Sequence, residues 1–178
     1  YKQGAPLGLG GQGWLVAHND IDNTAYSGIK FGTGANNLIA SNYFGCTCNI
    51  LWDGGNIYTS GHETNTIISC NYMKNGLDHG IYYDIAANGW LANSNVLDNF
   101  GWWWIYWHHL PQFVDHAYNT YYNASGGSVF NVKAPQIPNS IHVNGQFWPP
   151  AAQQIIISAG LEPAFWGLKS HEFFVNDS

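Results

Sequence analysis

Four acids in this sequence stand where their chemistry could be used: Asp53, Glu63, Asp78 and Asp84. All flank two short apolar segments that carry Ile57-Tyr58 and Ile81-Tyr82. Two carboxyl groups on either side of a glycosidic bond can cleave it, one as acid and one as base or nucleophile. Only eleven acids exist in the chain, so the choice is narrow. Asp20, Asp22 and Asp98 follow Asn residues and read as turn acids, Asp177 is terminal, and Glu162 sits beside a helix end. Counted from the isoleucines, Asp84 and His108 each stand three positions after one, whereas Asp53 stands four before Ile57. Asp78 and His79 stand three and two before Ile81. Asp53 and Asp84 form the leading catalytic pair, with Glu63 and Asp78 as alternatives. On a straight strand Asp53 and Asp84 would lie too far apart, so the chain before Ile57 must fold Asp53 back.

Aromatic residues surround these acids. Tyr58, Tyr82 and Tyr106 each follow an isoleucine; if the isoleucines point inward, alternation points the tyrosines out, where rings suit the apolar faces of sugars. His79, Trp107 and His108 join them as candidate substrate contacts. The run Trp102 to Trp107 is too dense to be wholly buried, which makes it a binding surface or a contact for self-association.

The elements that position these residues show as a repeat. Apolar residues followed by Asn recur at Asn19, Asn42, Asn71, Asn95 and Asn119, at intervals of 23, 29, 24 and 24. Ile29, Ile57, Ile81 and Ile105 keep step, at 10, 15, 10 and 10 residues after their Asn. The second coil therefore carries about five extra residues before its Ile. Short β-branched and aromatic segments bounded by Asn and Gly are strands and turns, without helical periodicity. Stacked coils of this kind make an all-β, right-handed parallel β-helix of about five coils, with an inward isoleucine ladder and a structural Asn column at one corner. We expect one domain over 1–178: an irregular start (1–12), coils (13–123) and a C-terminal cap region (124–178). Within the last, Pro149 and Gly160 bracket a short helix from about 149 to 159 that covers an open end. The chain reads as a mature or truncated piece of something longer.

Composition excludes several classes. Charged residues make up 9%, net charge is −6, and all five basic residues are lysines. Nucleic-acid binding needs a basic stripe, so it is not expected. No apolar run is long enough for a membrane-spanning helix. Cys46, Cys48 and Cys70 make no disulfide framework and are expected as buried, reduced thiols. Neither Cys46-x-Cys48 nor His108-His109 has the further ligands of a zinc site, so no metal is expected.

The segments Asp53-Gly54-Gly55-Asn56-Ile57-Tyr58-Thr59 and His79-Gly80-Ile81-Tyr82-Tyr83-Asp84, with the ending Ala159-Gly160-Leu161-Glu162-Pro163-Ala164-Phe165, resemble bacterial secreted right-handed β-helix proteins. That family is mostly glycoside hydrolases and related polysaccharide-active enzymes. The resemblance spans roughly residues 13–168. It implies an extracellular or periplasmic enzyme acting on a polysaccharide or oligosaccharide through carboxylates on the outer face of the coils. No cofactor is implied for a hydrolase. A polysaccharide lyase is the alternative; it must neutralise a uronate with Arg, Lys or calcium. A non-catalytic carbohydrate-binding or assembly-forming solenoid is the third reading. The chain departs from the family in its few upstream coils and its lack of arginine.

Overall fold

A computed structural model describes residues 4–108, 116–118, 120–123, 128–130, 139–143 and 147–168. The first coil holds β1 (Leu7–Gln12), β2 (Leu15–Ala17) and β3 (Asp20–Asp22). The second holds β4 (Ile29–Ala35), β5 (Leu38–Ala40) and β6 (Tyr43–Gly45). The third holds β7 (Gly55–Thr59), β8 (His62–Ser69) and β9 (Tyr72–Lys74). The fourth holds β10 (His79–Tyr83), β11 (Asn88–Asn93) and β12 (Val96–Asp98). The path continues through β13 (Trp103–Trp107), β14 (His116–Tyr118), β15 (Tyr121–Asn123), β16 (Ser128–Phe130) and β17 (Ile141–Val143).

Every strand pairs in parallel with its equivalent one coil away, which defines a parallel β-helix. It makes about four turns, one fewer than the repeat suggests. The isoleucine register is as the period predicts: Ile29 opposite Ile57, Ile57 opposite Ile81, Ile81 opposite Ile105. All four are 0% exposed. Two further inward rows close the core, Ile39, Ile68 and Ala92 on one face and Phe44, Met73 and Leu97 on the other. Each buried isoleucine contributes on the order of 2 kcal/mol through removal of its surface from water.

The Asn column is a hydrogen-bonded ladder. Asn42 donates its backbone N–H and Nδ2 to Asn71 Oδ1, both at 3.0 Å, and Asn71 does the same to Asn95 Oδ1. Each coil carries the bond to the next. The left-handed backbone, however, belongs to the residue before each Asn: His18, Ser41, Cys70 and Ser94, with φ of 53–56°. The Asn side chain, not its backbone tolerance, is what the corner needs.

Cys46, Cys48 and Cys70 are free thiols as expected, but only Cys48 is buried, and Cys46 and Cys70, at the turns, are half-buried. Burial pushes the Cys48 thiol up to about 12.

The helix α1 (Pro150–Ser158) forms where the proline predicts it and ends before Gly160, whose φ is 83°. Its position corrects the expectation of an end cap. Ala152, Ile155 and Ala159 pack on Tyr43, Tyr72 and Val96, which form one outward row along the stack. The helix therefore lies along the flank of the solenoid and ties several coils together. Among the described residues no helix is long and apolar enough to cross a membrane.

Candidate active site

The site lies on the outer face of β7, β10 and β13. Tyr58, Tyr82 and Tyr106 stand in register there, with Lys30 continuing the row below. Their ring centroids are 5.1 Å apart at each step, and the Tyr58–Tyr82 contact is edge-on. Tyr58 and Tyr82 are buried, so their faces are closed to a sugar, contrary to the expectation of an open tyrosine platform. Their hydroxyls instead hold the acids. Tyr106 is half-buried and stays partly open.

Tyr82 is the centre of this arrangement. Its hydroxyl oxygen lies 2.9 Å from Asp53 Oδ1, 3.2 Å from Asp84 Oδ1 and 2.8 Å from His108 Nδ1. Sharing one oxygen places the nearest oxygens of the two carboxylates no more than about 6 Å apart, short of the roughly 6.5–9.5 Å of inverting glycosidases. Asp84 also accepts a hydrogen bond from the Tyr58 hydroxyl, and its Oδ1 lies 2.8 Å from His108 Nδ1. A phenol has one proton to give. If Tyr82 donates to Asp53, a proton on His108 Nδ1 serves both Asp84 and the Tyr82 oxygen, and the longer Tyr82–Asp84 contact is then bridged only through His108. Burial first, then the Asp84 charge, drives the Tyr82 hydroxyl well above the usual phenol range. Burial and the bond to Asp84 do the same to Tyr58. Both therefore remain proton donors.

Asp53 arrives from the segment that the isoleucine count marks as inserted. Residues 46–54 fold back over the first coil: Cys48 N–H bonds Tyr26 carbonyl at 2.9 Å, and Leu51 N–H bonds Ala25 carbonyl at 2.9 Å. Asp53 itself has φ of 67°, a left-handed turn that short polar side chains tolerate. The Tyr26 hydroxyl donates to its carbonyl at 2.6 Å, and burial pushes that phenol up to about 12. Gly54 follows because nothing larger fits: a Cβ there would come within 2.8 Å of Ser27 Oγ and of the Tyr26 ring.

Asp78 lies beneath this turn and is not part of the pair. It is 2% exposed, and its carboxylate accepts the backbone N–H of Gly54 at 2.8 Å and that of Asp53. Burial pushes its carboxyl up, and these two donors pull it partly back. The role of alternative catalyst is thus corrected to that of anchor. Glu63 is corrected as well. It lies on β8, buried, where Thr66 and Asn37 hold its carboxylate away from the tyrosine row.

No family model matches this chain, and neither does any curated protein or solved structure.

The site is therefore read from its own geometry. Trp107 faces inward at 1% exposure and stacks on Tyr83 inside the core, so it cannot touch substrate. His79 is buried with its ring against Tyr82 and Tyr106, at 4.9 and 4.8 Å. Burial pulls its imidazole down to about 3, so its 3.3 Å contact with Asp78 is not an ion pair at neutral pH. His108 is exposed and open to a ligand. The run 102–107 turns most of its apolar bulk inward through Trp104, Ile105 and Trp107, and leaves Trp102 as its exposed member. Sequence reasoning missed Tyr26, Trp52 and the role of Trp102. The signal for Trp52 was present: it immediately precedes Asp53 within the inserted segment. Among the described residues no three His, Cys, Asp or Glu side chains converge to hold a metal.

Proposed function

We propose that this chain is a glycoside hydrolase that cleaves a polysaccharide or oligosaccharide by double displacement, in an extracellular or periplasmic setting. One observation carries the reading: Asp53 and Asp84, from successive coils, share the Tyr82 hydroxyl. Asp84, held by Tyr58 and His108, is oriented as the nucleophile. Asp53 is exposed at the loop and takes the acid role. Asp84 attacks the anomeric carbon while Asp53 protonates the departing oxygen. A glycosyl-enzyme ester results. Water then displaces Asp84, giving its proton to Asp53, and the starting protonation states return. The test is release of new reducing ends without an unsaturated product absorbing at about 235 nm, lost in Asp53→Asn and Asp84→Asn proteins that unfold at the wild-type temperature. Retained cleavage in either variant would refute the pairing.

The lyase reading draws on the Tyr82–His108 contact, since such a pair can move a proton. It ranks lower because burial and neighbouring acids hold the Tyr82 proton firmly, and because Lys30 is the one lysine in this row of described residues. A carbohydrate-binding solenoid without turnover is the third reading, and retained glycan binding without cleavage would favour it.

A further inference from the structure

Two tryptophans border the carboxylate pair. Trp52, next to Asp53 in the chain, is 59% exposed, and Trp102, two coils further on, is 53% exposed. Their ring centroids are 6.0 Å apart, with planes inclined by 53°. A sugar ring slotted between two aromatic planes needs about 7–8 Å, twice a carbon contact distance. These indoles are therefore in contact with each other and present one continuous apolar surface. It is also held rigidly. Asp78 bonds the backbone of Asp53 and Gly54 through its carboxylate, and its own carbonyl accepts the Trp102 N–H at 3.2 Å. One buried residue thus fixes both loops. Buried His79 backs the surface and links it to the acids: its ring lies 6.1 Å from Trp102 and 4.9 Å from Tyr82.

We propose that Trp52 and Trp102 form a shelf that binds an uncharged pyranose unit of the glycan, beside the bond presented to Asp53 and Asp84. The proposal rests on the reading of those two acids as the cleaving pair. Indole faces match the C–H faces of pyranoses, and a fixed shelf loses little entropy on binding. The charge balance selects neutral sugars. Asp53 is exposed at the edge of the shelf, Lys30 lies away over the Tyr58 ring, and the chain has no arginine. A uronate on the shelf would set its carboxylate beside the acid pair, which carries the Asp84 charge, with no cation among the described residues of this row beyond Lys30 to offset it.

The experiment is affinity electrophoresis of the full chain carrying Asp84→Asn, so that probes survive. The probes are mixed-linkage β-glucan, galactomannan and xylan, against polygalacturonate and alginate. We expect retardation by at least one neutral polymer and by neither anionic one. Trp52→Ala and Trp102→Ala should each weaken it by about three- to tenfold, the worth of one lost stacking contact, without lowering the unfolding temperature. Trp52→Phe should weaken it less. The shelf is wrong if no polymer retards the protein, if only the anionic ones do, or if both alanine variants bind as the parent does. It is also wrong if those variants merely convert an oligomer to a monomer, which would make the surface a contact between copies. Glycan binding that needs both tryptophans, in a wild-type protein that cleaves nothing, would overturn the hydrolase reading and leave the shelf. Cleavage indifferent to both tryptophans would do the reverse.

Discussion

The Tyr82 hydroxyl lies 2.9 Å from Asp53 Oδ1, although the two residues are 29 positions apart and come from different coils. The bond exists because residues 46–54 loop back over the outer face while Tyr82 rises from the strand beneath. It makes one phenol the meeting point of both acids and of His108.

Replacing Tyr82 with Phe keeps the ring and removes the shared oxygen. On the hydrolase reading, kcat should fall by about a hundredfold, with KM changed much less, because the loss is of alignment in the reacting state. Steady-state assays of reducing-end release measure both constants. An unchanged kcat would remove Tyr82 from the mechanism.

Asp78→Ala removes the acceptor of the Asp53 N–H and leaves that of buried Gly54 unsatisfied. Each such loss costs about 1–3 kcal/mol, so a drop of several degrees in unfolding temperature is expected. Asp78→Asn retains a carbonyl acceptor and should recover part of it. Thermal denaturation followed by circular dichroism distinguishes the two.

Asn71→Ala interrupts the corner ladder at its middle. The N–H of Asn42 loses its acceptor, and the Ile39 carbonyl loses the donor that reaches it at 2.9 Å. A destabilisation of about 2–4 kcal/mol should appear as a lower urea midpoint. Asn65→Asp, which removes the donor of an exposed Asn-to-Asn bond at a different corner and keeps a side chain that tolerates the left-handed backbone there, should cost well under 1 kcal/mol.

Alkali should unfold this protein early. Burial raises the phenols of Tyr26, Tyr43, Tyr58, Tyr72 and Tyr82 above their ordinary value of 10. Above pH 10 the unfolded chain loses these protons before the folded one does. The folded state then binds more protons, and its stability falls as pH rises, whereas below pH 10 this contribution is fully present. Absorbance at about 295 nm should show some tyrosines titrating gradually and the buried set appearing in one step with unfolding. Smooth titration of all tyrosines in the folded protein would contradict the burial.

The fold was legible because its signal is repeated. Ile29, Ile57, Ile81 and Ile105 occupy equivalent positions, and each copy corroborates the others. The site was partly legible. Asp53 and Asp84 draw attention in a chain poor in acids, and the isoleucine count reveals the extra residues before Ile57. The path of that insertion is not encoded in any period. It depends on Tyr26, Ser27 and Asp78, contacts that no spacing announces. Trp107 is a different case. Alternation counted from Ile105 places it inside, as found, but the surrounding tryptophans mask that signal. Trp104 and Ile105 both face the core despite being adjacent, so simple alternation fails at the start of that strand. The helix was legible from its proline and glycine, while its place along the flank was not, because the outward row of Tyr43, Tyr72 and Val96 looks like any other strand surface.

The inserted segment has a consequence for how such a protein can change over generations. Coils recognise one another through backbone pairing and inward rows, and neither involves the side chains at the tip of residues 46–54. The side chains of Trp52 and Asp53, both exposed, thus reach other coils at Trp102 and Tyr82, while Ile57, a few positions on, is buried and constrained from both sides. Selection can rewrite the appetite of such a molecule one corner at a time and leave its spine inherited intact.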